Sequence, residues 1–433
     1  MSKVNMMSAK DKKKDSQVPR LRFPEFRDAG EWEEKPLIAV ADYENGKAYE
    51  PHIIEGGRYI VVNSRFISTD GAIKKYSNEP ICIAKRGDIL MVLSDLPNGR
   101  ALAKSYYVDA DNLYAVNQRV CRLTPHSANG KFLCFLLDRH PNLLVFDDGK
   151  NQTHLKKNSV LQCLLKLPLS FDEQQRIADC LSSLDERIAA ETSKLDTLKD
   201  HKKGLLKQLF PAEGETTPEL RFPEFRDAGE WEEVPLSKLV SSLDAGVSVN
   251  AGDRPATSEE MGILKTSAVT NGVFEPQENK VVLDVVEIGR MRESVRRNTI
   301  IISRMNTPAL VGANAYVDTN FENIFLPDRL WAAKPKPDTS MRFISFILSS
   351  NQGRATLALS AKGSSGSMKN ITKSDVLAFL AMIPSLPEQQ RIAGCLSSLD
   401  ELITAQTQKI DLLKDHKKGL MQQLFPCIDE VRA

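Results

Sequence analysis

The sequence predicts two tandem mixed α/β (α+β) domains joined by two long helices that form an antiparallel coiled coil, with a pseudo-two-fold internal repeat. A short stretch, LRFPEFRDAGEWEE, occurs identically at 21–34 and 220–233 of the 433 residues. A longer stretch recurs at 171–211 and 386–426, with 30 of 41 positions identical. The repeat period is far too long for a solenoid, so the pattern indicates two copies of one domain plan in tandem.

The regions between the repeats, roughly 38–170 and 237–385, share little sequence and are interpreted as mixed α/β. The first contains strand-like YIVVNSRFI, AIKKY, GDILMVL and SYYVD and helix-like GKFLCFLLDRH. The second contains strand-like GILKTSAVT, NTIIISR and AYVDT and helix-like MRFISFILSSNQ. The correspondence of NSRFIS with KTSAVT indicates one fold with two divergent surfaces. The predicted boundaries are a disordered tail at 1–19, a first domain at 20–170, a long helix at 171–211, a linker at 212–219, a second domain at 220–385, a long helix at 386–426 and a tail at 427–433.

The long repeats have the apolar spacing of paired helices. Apolar residues follow each other in steps of four and three, which is the heptad pattern of a seam between helices. Ser170 precedes Glu173, and Ser385 precedes Glu388, at capping-box spacing. A Phe-Pro pair ends each stretch, because proline disfavours helix in the residue before it. The predicted seam comprises Leu181, Leu184, Ile188, Leu195, Leu198, Leu396, Leu399, Ile403, Ile410 and Leu413.

We expect the two helices to pack on each other in antiparallel fashion, an arrangement that would bring Glu191 near Lys417. The alternative is two independent helices, each folded back on its own domain. Both copies also share the outward-facing KDHKKGL, which fits either a common partner or copies kept alike by recombination.

Charge is nearly balanced overall but is distributed unevenly. The chain has 58 basic and 57 acidic residues, whereas the variable regions have 17 basic against 13 acidic and 17 against 14. An excess of positive charge suits surfaces that face phosphate. The run at 12–14 could touch nucleic acid or simply be solvated.

No apolar run is long enough to span a membrane, and the polar first 20 residues contain no signal-peptide pattern, so a cytoplasmic location is expected. The seven cysteines are scattered and include no CxxC pair, so they are interpreted as reduced thiols in the core. The alternative is that they are zinc ligands or form disulfides.

Polar loops in the variable regions are the candidate DNA contacts. DDGKNQTHLKKN and AKGSSGSMKN each lie just before a long helix, and SDLPNGR and RMNTPALVG lie earlier. Arg, Lys, Asn and Gln can read base edges, although each loop alone could be an ordinary surface loop. The candidates are Asn63, Arg65, Asn98, Arg100, Lys150, Asn151, Gln152, His154, Lys265, Arg304, Asn306, Lys362, Lys369 and Asn370.

The sequence lacks the motifs of common catalytic sites. It contains no Walker A loop, HExxH, GxSxG or adenine-methylation motif, and no metal constellation emerges. Glu25, Glu33 and Glu34 of the short repeat read as a solvated face rather than as catalytic groups. A non-catalytic binding protein is therefore expected. A structural adaptor joining two protein-binding domains through the coiled coil is the alternative, and an enzyme acting alone is a third.

The repeated motifs resemble the specificity subunit of a Type I restriction-modification system. Two variable domains are each preceded by FPEFR and a tryptophan and followed by EQQRIA and a helix ending in Leu-Phe-Pro, at Glu173–Ala178 and Glu388–Ala393 for the EQQRIA motif. The resemblance implies that the variable regions are target recognition domains, each reading half of a split, asymmetric DNA site. The loop at 149–152 fits the family pattern, whereas its counterpart at 363–370 departs from it.

The resemblance also implies the partners. Two methylation subunits would supply S-adenosylmethionine chemistry on adenine, and two restriction and translocation subunits would use ATP and Mg²⁺. This chain would bind double-stranded DNA and no cofactor of its own.

Overall fold

The computed structural model describes residues 18–95, 101–146, 154–362 and 368–426. The chain divides into two compact units, the first comprising 1–192 with 408–433 and the second comprising 193–407. Several predicted features lie outside the described residues: Asn98, Arg100, Lys150, Asn151 and Gln152, with residues 1–17 of the first predicted tail and 427–433 of the second.

The chain as far as the end of the first long helix contains nine strands and five α-helices within the described ranges. They are β1 (Glu33–Pro36), β2 (Ala41–Asn45), β3 (Tyr59–Val62), α1 (Ser64–Ser68), β4 (Tyr76–Ser77), β5 (Ile89–Val92), β6 (Ser105–Tyr107), β7 (Tyr114–Val116), β8 (Val120–Pro125), α2 (Gly130–Leu137), α3 (Pro141–Leu144), α4 (Lys157–Leu161), β9 (Leu164–Leu167) and the long helix α5 (Phe171–Gln208).

The remainder repeats this order with additions. It contains β10 (Glu232–Pro235), α6 (Leu236–Leu239), β11 (Val240–Ala245), β12 (Gly262–Leu264), β13 (Asn279–Val281), α7 (Val285–Arg290), β14 (Ser294–Val295), β15 (Thr299–Ser303), β16 (Met305–Asn306), β17 (Asn314–Val317), β18 (Phe321–Phe325), β19 (Leu330–Pro335), α8 (Met341–Ser349), α9 (Asn351–Leu359), β20 (Lys369–Asn370), α10 (Lys373–Leu377), β21 (Leu380–Ile383) and the long helix α11 (Leu386–Leu424).

Each unit is built on the same sheets. In the first, one sheet has the order β2-β8-β5-β6 and another β4-β3-β7, while β1 pairs with β9. In the second, the corresponding sheets are β11-β19-β15-β17 and β13-β12-β18-β14, while β10 pairs with β21. Most neighbouring strands are antiparallel, but β3 runs parallel to β7 and β12 parallel to β18. The prediction of two tandem mixed α/β domains is confirmed.

The central strand of each unit is apolar on both faces because it separates two cores. In β5, Ile89 and Met91 pack into the core that contains Trp32 and α2, whereas Leu90 and Val92 pack into the core around Phe66. Strand β15 divides its isoleucines between two cores of the second unit in the same way. The continuous apolar runs in GDILMVL and NTIIISR therefore mark fully buried strands.

Two predicted strands end early in helices. The segment YIVVNSRFI forms β3 and then α1, because the Asn63 side chain accepts a hydrogen bond from the Phe66 backbone N–H at 2.9 Å and caps the helix. GILKTSAVT likewise forms β12 followed by a 3₁₀ helix at Thr266–Val269. A capping side chain and a turn outweighed the β propensity of the apolar residues that follow.

The short repeat is joined to the long helix by a buried ion pair in each unit. In the first, Arg22 donates from Nε and Nη2 to the two carboxylate oxygens of Glu173, each at 2.7 Å, and Nη1 donates to the Gly30 carbonyl. In the second, Arg221 binds Glu388 at 2.8 and 2.7 Å. Both glutamate side chains are only 1% exposed.

This ion pair corrects the capping-box prediction for the first long helix. The Glu173 backbone N–H lies 3.4 Å from the Ser170 hydroxyl, but the Glu173 carboxylate binds Arg22 and the Trp32 indole N–H instead of turning back to Ser170. The two repeats that recur together in the sequence are therefore binding partners within each unit.

The glutamine that follows each glutamate fixes the first turn of a neighbouring helix. Gln174 accepts from the backbone N–H of Asn129, which caps α2, at 2.8 Å. Gln389 accepts from the backbone N–H of Ser340, which caps α8, at 3.1 Å. The Glu-Gln pair of the motif EQQRIA therefore ties the short repeat and the variable domain to one helix end.

Candidate nucleic-acid interface

In the first unit, two parallel strands end at the same edge. Val62 of β3 is paired with Val116 of β7, so Asn63 and Asn117 follow the two strands side by side. The Asn117 backbone N–H donates to the Val62 carbonyl at 3.1 Å. Exposed Arg65 lies in the first turn of α1, directly after Asn63.

A short turn at 117–119 then carries the chain from the sheet of β3 to the sheet of β5. The Leu93 backbone N–H donates to the Arg119 carbonyl at 2.9 Å, and the Leu155 N–H donates to the Leu93 carbonyl at 2.8 Å. Ser94 and His154 form an isolated bridge, so the two predicted loops meet beside this turn. We call Asn63, Ser94, Arg119 and His154 the first strand-end surface.

The second unit contains the equivalent arrangement. Ile263 of β12 is paired with Phe325 of β18, so Lys265 and the turn at 326–329 lie at one edge. The Arg304 N–H donates to the Arg329 carbonyl at 3.0 Å, and the Ile371 N–H donates to the Arg304 carbonyl at 2.9 Å.

Strands β16 and β20 complete this surface. Asn306 is paired with Lys369, and Asn370 pairs with Met305 on one side and Lys362 on the other. We call Lys265, Arg304, Asn306, Arg329, Lys362, Lys369 and Asn370 the second strand-end surface.

The guanidinium of Arg304 is held in place by its neighbours. Nε donates to the Asp328 carbonyl at 2.6 Å, and Nη2 lies 3.3 Å from the Asp328 carboxylate. A hydrogen bond from the Ser248 hydroxyl and then one from Arg304 lower the pKa of the Asp328 carboxyl. Asp328 therefore stays ionised and orients the Arg304 guanidinium. Its negative charge also offsets part of the positive charge of Arg304.

The other predicted residues differ in how free their polar atoms are. Asn63 uses its oxygen to cap α1, and Asn306 accepts from the Thr307 N–H at 2.9 Å. Lys265 forms an ion pair with Glu278 at 3.5 Å, in which both side chains are about one-third exposed. Exposed ion pairs of this kind are weak, so Lys265 can exchange Glu278 for another anion at little cost.

Three cations on or beside these surfaces were missed by the sequence analysis. Arg119 and Arg329 each end a turn just before a core strand, and Lys373 begins α10 with its ammonium 6.0 Å from the Trp331 ring centre. The available signal was one arginine before a buried strand in both variable regions, in NQRVCRL and PDRLWAA. Surrounding residues differ too much for the match to be noticed without the fold.

The ten predicted seam residues all lie in α5 or α11. Leu181, Leu195, Leu396 and Ile410 are buried, and the other six are half-buried. The expected contact between Glu191 and Lys417 is wrong: in the first unit Lys417 binds Asp185 at 2.6 Å and Glu191 binds Lys409. The register between the two helices is therefore shifted by about two helical turns from the predicted one.

Other kinds of site find little support in the described ranges. No group of three or more histidine, cysteine or acidic residues there could hold a metal ion. The six cysteines in these ranges are free thiols. No helix described combines the length and apolarity of a transmembrane segment.

The fold is similar to that of solved restriction-modification proteins. The crystal structure of a Type I restriction-modification S subunit from M. genitalium matches 95% of this chain and 100% of that chain, with a TM-score of 0.63 and 14% identity. A chain from a structure on complex assembly and conformational transition of the type I R-M system matches 92% of this chain and 98% of its own, with a TM-score of 0.50 and 16% identity.

The sequence comparison identifies the family. The profile of the Type I restriction modification DNA specificity domain matches residues 29–200 and 229–415. The chain therefore belongs to this family, and the resemblance to Type I specificity subunits is confirmed.

Three curated relatives carry the name of a Type I restriction enzyme specificity subunit. The chain is 24% identical over 168 residues to that of EcoEI from Escherichia coli and 23% identical over 205 residues to that of HindI from Haemophilus influenzae. These matches cover 38% and 47% of this chain but only 28% and 42% of the relatives. A putative MjaX subunit from Methanocaldococcus jannaschii is 26% identical over 72% of this chain and 71% of its own length.

Proposed function

We propose that this chain is the non-catalytic DNA-recognition subunit of a Type I restriction-modification complex, and that it reads a split, asymmetric site in double-stranded DNA. The observation that carries this proposal is the pair of strand-end surfaces. Each has the same backbone plan, yet equivalent positions hold different side chains, such as Asn63 and Lys265 or His154 and Asn370. One plan with two sets of side chains fits two different half-sites.

The chemistry of the surfaces fits DNA. Asn and Arg can form paired hydrogen bonds with base edges, and Lys and Arg neutralise phosphates. In the second unit, Arg304, Arg329, Lys362, Lys369 and Lys373 lie on or beside one surface, while Asp328 is compensated by Arg304. Such an excess of positive charge favours a polyanion over an acidic protein surface.

We further propose that α5 and α11 form an antiparallel coiled coil that carries both recognition domains. In the first unit, Asp185 contacts Lys417 and Glu191 contacts Lys409. Residue numbers therefore increase along α5 as they decrease along α11, which is the antiparallel arrangement. In the second unit, Lys202 binds Asp400. Polar pairs inside an apolar seam favour one register over others.

Partners follow from the family. Two methylation subunits would bring S-adenosylmethionine to the adenines, and two restriction subunits would use ATP and Mg²⁺ to translocate and cut DNA. One solved structure of similar fold concerns complex assembly and conformational transition of the type I R-M system, which supports such partners. The proposed role of this chain is to position those subunits.

Methylated-adenine mapping tests the proposal. Genomic DNA from cells that carry this chain, together with its cognate methylation subunit, is compared with DNA from cells in which this chain alone is deleted. The proposal predicts one bipartite methylated sequence that disappears with the chain. Methylation that persists unchanged, or a purified complex with no salt-sensitive binding to duplex DNA, would favour an adaptor that joins proteins instead.

A further inference from the structure

We infer that Arg119 and Arg329 are phosphate-contacting residues, one for each half of the DNA site, and this inference rests on the proposed DNA-binding function. Each is the last residue of the turn between two sheets, directly before β8 or β19. Both are exposed, and neither side chain forms a hydrogen bond or ion pair within the described part of the chain. Their guanidinium groups are thus available to an external anion.

The first observation is the central position of these turns. The turn at 117–119 lies between Asn63, at the end of β3, and Leu93, at the end of β5, because its backbone bonds to both sides. In the second unit, the turn at 326–329 directly follows Phe325, which is paired with Ile263 near Lys265, and the Arg329 carbonyl accepts from the Arg304 N–H. Arg119 therefore lies between Asn63 on one side and Leu93, near His154, on the other, and Arg329 lies between Lys265 and Arg304.

The second observation is how firmly the turns are held. Gly46, directly after β2, lies so close to the turn that a Cβ there would be 2.0 Å from the Asn117 carbonyl oxygen. In the second unit, a Cβ on Gly246 would be 1.5 Å from the Leu326 carbonyl oxygen. Only glycine allows this approach of two backbone segments. The arginine side chain therefore extends from a fixed backbone, which lowers the entropy cost of placing it against a ligand.

The third observation separates phosphate from base. Around the two arginines, equivalent positions differ: Ser94 corresponds to Met305, and His154 to Asn370. Side chains that read bases should differ between two half-sites, whereas every half-site presents the same phosphates. Arginine occupies the same place in both surfaces, although the residues around it differ. This fits contact with the phosphate backbone, which is the same in every half-site.

Salt-dependent binding of the full chain with its methylation subunits tests the inference. Affinity is measured for duplexes with and without the mapped site, over a range of salt concentrations. We expect Arg119→Ala or Arg329→Ala to weaken binding to both duplexes by a similar factor, and the slope of log affinity against log salt to fall by about 0.9. Arg→Lys should keep most of the slope, and the methylated sequence should not change.

The matched controls are Lys85→Ala and Arg297→Ala. These exposed cations precede β5 and β15, so they lie at the ends of those strands opposite to the strand-end surfaces. They should leave the slope as in the wild type. Arg→Gln replaces Arg→Ala if the latter lowers thermal stability. Wild-type affinity and slope in the arginine variants would overturn the inference, and an altered base preference in one half-site would replace it with base reading. If the wild-type complex itself failed to bind duplex DNA, the proposed function would fail instead.

Discussion

At the residue scale, the arginine of each short repeat is the group on which the attachment of that repeat depends. Arg22 and Glu173 are both nearly inaccessible to solvent and make two parallel hydrogen bonds, with the Gly30 carbonyl and the Trp32 indole as further partners. A buried charge is tolerated only while its partner is present. The pair therefore specifies where the repeat sits more than it adds net stability.

Removing one partner should be costly. Arg22→Ala, or Arg221→Ala in the second unit, leaves a buried carboxylate unpaired and should destabilise that unit by about 3–5 kcal/mol. Urea unfolding of each variant measures the change in free energy. Exposed Arg20 provides the control, because Arg20→Ala should change stability by less than about 0.5 kcal/mol. A loss as small for Arg22→Ala as for Arg20→Ala would contradict the assigned role of the pair.

His140 predicts a pH-dependent weakness in the first unit. Burial lowers the pKa of its imidazole to about 4, and its Nδ1 lies 3.6 Å from the Cys163 thiol. The folded pKa lies below the ordinary value of about 6.5, so the unfolded state takes up the proton first. Stability contributed by neutral His140 is complete above pH 6.5 and is lost as the pH falls towards 4.

Hydrogen exchange in α2 and α3, corrected for intrinsic rates, should therefore show a declining opening free energy between pH 6.5 and 5. His140→Gln removes the titrating group and should flatten this decline, whereas the exposed His126→Gln should not. An unchanged slope in His140→Gln would show that another group dominates this range.

At the element scale, the long helices and their antiparallel packing could be predicted from the sequence, whereas the residues that meet between the helices could not. Periodicity, a serine before the first turn and a terminal Phe-Pro locate α5 and α11 within two or three residues. The pairing of Lys417 with Asp185 joins residues 232 apart, and no local pattern contains that information. The apolar seam allows several registers, so only the packed structure distinguishes Asp185 from Glu191 as the partner.

A charge exchange tests this pairing. Asp185→Lys places two ammonium groups together, and Lys417→Asp places two carboxylates together, so each should destabilise the first unit by roughly 1 kcal/mol because both positions are partly solvated. The double variant should recover most of the loss. Equal and additive losses, measured by unfolding in a double-mutant cycle, would mean that the two groups do not interact.

The strand-end loops show the same limit at the element scale. Residue types predicted Arg304, Asn306, Lys369 and Asn370 as contacts, and β16 and β20 bring them together. The arginines of the turns were missed, because a turn residue before a buried strand has no distinctive local sequence. The position of such an arginine points to a binding role only once the fold is known. The fold shows that strands of both sheets terminate beside it.

At the scale of the whole molecule, the repeated sequence and the variable sequence have separate tasks. The repeats supply the Arg–Glu pairs, the glutamine links and the long helices, which are alike in both units. The variable regions supply sheets of one plan whose strand-end surfaces differ. The sequence alone predicts this division, because only the flanks of each domain are alike, and the structure adds the contacts that make the flanks alike.

The most direct test of this division is the exchange of one variable region. Residues 38–170 are replaced by the equivalent region of a family member with a known methylated sequence, and methylated adenines are mapped in cells, with the reciprocal exchange of 237–385 as the matched control. We predict that each exchange changes one half of the bipartite site to that of the donor and leaves the other half unaltered. A change in both halves from a single exchange, or a complex that still methylates the original sequence after both exchanges, would contradict the account.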